Sequence, residues 1–161
     1  MRVLVFSTQA LPSPPPYYGG AELVAFTDAL WLSTKNKVTL VATKHSKAAA
    51  TYFLGSDPPF EVLEYAEPGL VDARELEEKA YEELVANRKD FEVVIDHSWS
   101  KPTYRSNLPV LGVVHGLNPY PLGWRPREKS CLTAVSRFHA EYLASYYLMN
   151  VAYIPNHVFT E

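Results

Sequence analysis

Short, nearly continuous apolar runs recur along this chain, separated by longer stretches with helical spacing. The runs are Val3 to Phe6, Val38 to Ala42, Val62 to Tyr65, Val93 to Ile95, Val110 to Val114, Leu132 to Val135 and Val151 to Ile154. A strand with one wet face alternates apolar and polar residues, whereas a strand covered on both faces is apolar throughout. Helices between such strands provide the crossovers that parallel pairing requires. The pattern predicts an α/β domain, a Rossmann-like doubly wound parallel sheet. No internal linker interrupts the 161 residues, a length that suits one domain.

Four segments carry the helical spacing. From Ala21 to about Thr34, Leu23, Val24, Phe26, Leu30 and Trp31 recur at intervals of three and four. Ala48 to Ala50 suggests a short helix. Val71 to Arg88 has the stripe Ala73, Leu76, Ala80, Leu84, with Glu75, Glu77, Glu78, Glu82 and Glu83 facing water. Glu75 and Lys79 stand four apart and form a weakly favourable pair. From Arg137 to about Leu148, the stripe Phe138, Tyr142, Tyr146 is expected to pack into the core.

Composition narrows the function. Hydrophobic residues make up 47% and charged residues 20%, which suits a globular chain. The formal charge of -3 leaves no basic excess to neutralise phosphates, which argues against a nucleic-acid partner. The single cysteine, Cys131, excludes an internal disulfide and a multi-cysteine metal site, and a cytoplasmic setting is expected. Cys131 opens an apolar strand and reads as a small buried residue. The first apolar run is too short for a signal peptide or a membrane span. Peripheral membrane contact stays open.

In an open parallel sheet, ligands bind in the crevice beyond the carboxyl ends of the strands. Gly19 and Gly20 follow the first strand, after a loop containing Pro12, Pro14, Pro15 and Pro16. Asp96 and His97 follow the fourth, His115 and Gly116 the fifth, Ser136 and Arg137 the sixth, and Asn156 and His157 the seventh. Small and polar residues converge on one edge. Gly19-Gly20 leads into Ala21-Glu22, where a helix start offers free N–H groups to a phosphate; a plain surface turn would use the same residues. Neither G-x-G-x-x-G nor the P-loop signature is present, which weakens nicotinamide and NTP chemistry. His115 can bond a sugar hydroxyl or move a proton, or simply tie off a strand end, and Asp96-His97 has the same two readings. No metal site is expected, since His97 and His115 have no third ligand at a telling spacing. Glu67, Glu75 and Glu83 show E-x7-E spacing, but in a glutamate-rich helix it carries no function.

Taken in order, several segments resemble the N-terminal domain of family 4 retaining glycosyltransferases, enzymes of the GT-B fold. Pro14-Pro15-Pro16-Tyr17-Tyr18-Gly19-Gly20-Ala21-Glu22 is similar to the family's P-P-x-x-G-G-x-E loop. Leu30 to Val41 resembles L-x-x-x-G-H-x-V-T-V, with Lys35-Asn36-Lys37 where Gly-His is common. Val93 to His97 resembles D-V-V-H-x-H, and Val110 to Gly116 resembles P-V-V-x-T-x-H-G. Leu132 to Arg137 and Ile154-Pro155-Asn156 are similar to A-V-S-R and I-P-N-G-V-D, with His157 and Phe159 departing from the latter.

The resemblance spans residues 1–161 and implies one such domain, without the C-terminal half that holds most of the donor site. It implies that Gly19 and Gly20 face the donor diphosphate and that His115, as the catalytic residue, sits near the transferred sugar. Glu22, Gly116 and Asn156 join the binding set, while Asp96, His97, Ser136 and Arg137 line the acceptor side or the cleft wall. The implied activity is transfer of a hexose from a nucleotide-sugar to an acceptor with retention, with no cofactor, the nucleotide-sugar being a substrate. The chain alone is expected to be nearly inactive, needing a donor-domain polypeptide. The alternative expectation is a non-catalytic sugar- or nucleotide-binding or oligomerisation module, working as a homodimer.

Overall fold

The computed structural model describes residues 1–69, 75–86, 90–98, 108–116, 130–147 and 150–156. Among them, seven strands form one parallel sheet in the order β3-β2-β1-β4-β5-β6-β7. The strands are β1 (Arg2–Phe6), β2 (Lys37–Ala42), β3 (Glu61–Glu64), β4 (Val93–Asp96), β5 (Val110–Val114), β6 (Ser130–Ala134) and β7 (Val151–Tyr153). The helices are α1 (Gly20–Ser33), α2 (Ser46–Leu54), α3 (Glu75–Ala80) and α4 (Arg137–Tyr147). From α3 the chain runs on through Tyr81–Ala86 in wider, π-helical winding. The doubly wound parallel sheet read from the apolar runs is the observed fold.

Alternate residues of β1 feed two separate cores, as the pleat requires. Val3 and Val5 join Ala25, Phe26 and Ala29 of α1 and Ala50 of α2 on one face. Leu4 and Phe6 join Leu76 and Ala80 of α3, Leu84 just beyond it, and Leu143 of α4 on the other. Both faces of the strand are therefore dry, which is why it shows no polar alternation.

Three details differ from the sequence reading. In α1 the buried face is Val24, Ala25, Phe26, Thr27 and Ala29, while Trp31 is 57% exposed and Leu23 is also exposed. Ala25 and Ala29 let the helix backbone approach the sheet beside Phe26, and Leu23 and Trp31 turn outward. In α4 the core contacts are Ala140 and Leu143; Phe138 is 72% exposed. Tyr142 and Tyr146 are half-buried against the core, their rings stacked with centroids 6.1 Å apart. Cys131 is exposed rather than buried, and partial desolvation pushes its thiol up, away from the reactive thiolate form.

The stripe of the third helix holds at Leu76, Ala80 and Leu84, all buried; Ala73 lies outside the described residues. Glu75 pairs with Lys79 and Glu67 with Lys44 on exposed surface, so two glutamates of the E-x7-E spacing are engaged in local ion pairs. Among the described residues, no helix is long and apolar enough to cross a membrane.

Candidate functional site

The strand order reverses between β1 and β4. From β1 the chain builds outward through β2 and β3, then returns to place β4 on the opposite side. Helices leave in opposite directions at such a switch point and open a crevice beyond the strand ends. Phe6 pairs with Asp96 there, and the His97 N–H donates to the Phe6 carbonyl at 2.9 Å.

The loop leaving β1 is braced by side chains. Ser7, Thr8, Gln9 and Ser13 are all buried. Ser7 Oγ and Ser13 Oγ share a hydrogen bond of 2.5 Å, and the Ser13 N–H donates to Ser46 Oγ at 3.0 Å. Gln9 Oε1 accepts from the Leu76 N–H at 3.0 Å, which ties the loop to α3. The Thr8 hydroxyl bonds both ways, accepting from the Ala10 N–H at 3.1 Å and donating to Glu22 Oε1. A loop rich in proline has few backbone N–H groups, and hydroxyls of Ser46 and Thr8 accept from those of Ser13 and Ala10.

This bracing delivers Gly19 as the N-cap of α1. A Cβ on Gly19 would lie 2.7 Å from Pro15 Cβ and 2.9 Å from Glu22 Oε2, so close approach requires glycine. A Cβ on Gly20 would meet nothing within 4 Å. The first helical bond is Leu23 N–H to Gly19 carbonyl, which leaves the N–H groups of Gly20, Ala21 and Glu22 as the donors of the helix start. They border a groove of about 440 Å3 lined by Tyr18, Gly19, Gly20, Glu22, His115, Gly116 and Asn156, with Ala10, Leu11, Ala21 and Val135. The glycine pair and His115 thus share one concavity.

His115 does not stand alone. Its Nε2 lies 3.1 Å from Nδ1 of His97, and the two rings stack with centroids 5.4 Å apart. His97 is fully buried, and its Nε2 lies 3.2 Å from Oδ2 of Asp28 on α1, off the line of a well-formed hydrogen bond. Burial, helped by the neighbouring His97, drops the His115 pKa to about 4 against the pull of Asp28, so its ring is neutral near pH 7.

The remaining predicted residues lie elsewhere. Asp96 is buried, and its Oδ1 accepts from both the backbone and the hydroxyl of Ser98, closing a turn at the end of β4. Ser136 Oγ accepts from the His139 N–H at 3.1 Å and caps α4. Arg137 is exposed on the first turn of that helix. Asp96, His97, Ser136 and Arg137 are not among the groove-lining residues, although His97 reaches the groove through His115. His157 and Phe159 lie outside the described residues.

Two residues went unnoticed in the sequence. Asp28 sits in the middle of an apolar helix and shows no motif. His139 is buried, and its Nε2–H donates to the Gly116 carbonyl at 2.9 Å, which fixes the turn after His115. A histidine inside an amphipathic helix gives no sign of a partner 23 residues earlier.

A second depression, about 660 Å3, lies beside α2 and is lined by His45, Lys47, Ala48, Thr51, Tyr52 and Glu64. It is shallow and shares no lining residue with the groove, and Glu64 is engaged there by the Lys47 N–H at 2.8 Å. Among the described residues, no group of three or more histidines, cysteines or carboxylates is gathered to hold a metal ion. The chain matches no protein-family model and no curated protein.

Proposed function

We propose that this domain is the acceptor-side half of a hexosyltransferase that takes its sugar from a nucleotide-sugar with retention. The observation that carries this reading is the single groove shared by the Gly19-Gly20 helix start and His115. When the bond from sugar to diphosphate breaks, negative charge grows on the leaving phosphate. Free N–H groups at Gly20 and Ala21, backed by the positive end of the α1 dipole, stabilise such charge. Glu22 has one oxygen engaged by Thr8, leaving the other to accept from sugar hydroxyls. His115 orients the sugar from the opposite wall. A second domain closing over this edge would exclude water and complete the donor site.

The test uses the chain itself. Amide NMR shifts are followed on titration with UDP-glucose and with GDP-mannose at millimolar concentration. Shifts concentrated at Gly20, Ala21, His115 and Gly116, lost in Gly20→Val, support the reading. The valine points into open space in the free protein, so it blocks the ligand without disturbing the core. No perturbation by either compound, or shifts centred on the α2 depression, would sink it.

One observation favours the alternative, a non-catalytic module working as a homodimer. Tyr17 and Tyr18 are 95% and 92% exposed on the loop after β1, and Phe138 and Ile154 are exposed just beyond β6 and β7. Large apolar side chains on one edge of a sheet suit burial against another surface. A dimer by light scattering that dissociates in Tyr18→Ser, with no nucleotide-sugar binding, would favour this reading over the first.

A further inference from the structure

Behind the groove, Asp28 and His97 join His115 in a chain of three polar side chains, of which the reading above uses only His115. Asp28 Oδ2, His97 Nε2, His97 Nδ1 and His115 Nε2 follow one another with gaps of 3.2 Å and 3.1 Å on either side of the His97 ring. His97 has no exposed surface, so no solvent competes for its nitrogens. We propose that Asp28 and His97 are positioning residues that hold His115 as one neutral tautomer, protonated on Nε2 with its lone pair on Nδ1. His115 then acts on a groove ligand as a hydrogen-bond acceptor and takes a hydroxyl donor, not an anion.

The polarity follows from the carboxylate end. A carboxylate is an acceptor only. An unprotonated His97 Nε2 would leave two electron-rich atoms, the ring nitrogen and Asp28 Oδ2, 3.2 Å apart, so the proton is placed on Nε2. With that one proton on His97, its Nδ1 is an acceptor. For the 3.1 Å contact to be a hydrogen bond, His115 must donate from Nε2. His115 is neutral as well, so Nδ1 carries the lone pair. That nitrogen has no partner among the described residues. The ionisable groups acting on His115 are Asp28 from α1, His97 at the end of β4 and His139 from α4. A phosphate oxygen meeting the His115 lone pair would be repelled, which keeps the diphosphate at the helix start and a sugar hydroxyl at the histidine.

The ligand assignment rests on the proposed function, but the relay does not, and it is tested without ligand. Long-range proton–nitrogen NMR on the full chain with nitrogen-labelled histidine reads which ring nitrogen carries the proton. At pH 7 the expected result is His97 and His115 both neutral and both protonated on Nε2. A proton on His115 Nδ1, or a charged His97, overturns the proposal. In Asp28→Ala, His115 should lose its single-tautomer pattern and give an averaged one, while Asp28→Asn keeps the volume should the alanine variant fail to fold. An unchanged His115 tautomer in both variants also overturns it. Loss of nucleotide-sugar binding with an intact tautomer pattern would leave the relay standing and remove only the carbohydrate reading.

Discussion

Adjacent glycines at the start of α1 should respond to alanine with opposite signs. At Gly19 the new Cβ would sit 2.7 Å and 2.8 Å from Pro15 Cβ and Cγ, about 0.7 Å short of the 3.4 Å where ordinary contact begins. Pro15 cannot rotate away, because its ring is closed and the preceding Ser13 and Pro14 are buried. Overpacking of this kind costs about 1–3 kcal/mol. The Gly19 φ of 172° is extended backbone that alanine adopts freely, so the whole penalty is steric. At Gly20 the Cβ meets nothing within 4 Å, and alanine in the first helical turn removes unfolded-state freedom, a gain of roughly 0.4–1 kcal/mol. Urea unfolding followed by far-UV circular dichroism should therefore separate the two variants by about 2 kcal/mol or more. In a domain of this size that corresponds to a melting-temperature gap of roughly 4–8 °C. If Gly19→Ala unfolds within about 0.5 kcal/mol of the parent, the threshold for an ordinary surface change, the loop is not braced against Pro15. The rigid placement of the helix start then fails with it.

Three further outcomes are expected. The His115 pKa falls from 6.5 to about 4 on folding, so the unfolded chain binds more protons between these values and stability drops as pH falls through that window. The full effect is on the order of 3 kcal/mol, and urea midpoints at pH 7 and pH 4 should converge between parent and His115→Gln at the lower pH; an unchanged gap contradicts the burial. Ser136→Ala removes the α4 cap and should cost about 0.5–2 kcal/mol in urea unfolding, while nucleotide-sugar titration shifts at Gly20 stay as in the parent. His139→Phe should release the Gly116 carbonyl and broaden the amide signals of Gly116 with α4 still formed, which circular dichroism checks.

Much of this architecture was legible because burial on both faces writes itself into a strand as an unbroken apolar run. Val110 to Val114 is such a run, and β5 has those bounds. Strand ends were legible for the same reason, which is how Gly19, Gly20, His115, Gly116 and Asn156 were placed on one edge. What sequence periodicity does not encode is rotation about the helix axis to within one residue. Phe138 and Trp31 therefore looked like core residues, although Leu143 and the small Ala29 occupy those places. Nor does it reveal which polar side chain meets which across the sheet. Asp28 reaches His97 from a helix 69 residues earlier, a separation that leaves no local pattern. Asp96 and Ser136 are residue types that suit either a ligand or a turn, and here Asp96 Oδ1 accepts from Ser98 and Ser136 Oγ from the His139 N–H.

The groove takes its walls from residues 10–11, 18–22, 115–116, 135 and 156, so no contiguous fragment contains it. A compound that settles there clips together both ends of the polypeptide and its middle. Capture by the native form alone then stabilises the entire unit by RT ln(1 + [L]/Kd), about 2.7 kcal/mol at a hundredfold excess over Kd, and raises its melting point. A heat-denaturation screen of candidate sugars and nucleotides, repeated on Gly20→Val, then finds the compounds whose stabilisation depends on this groove, with no knowledge of the reaction required.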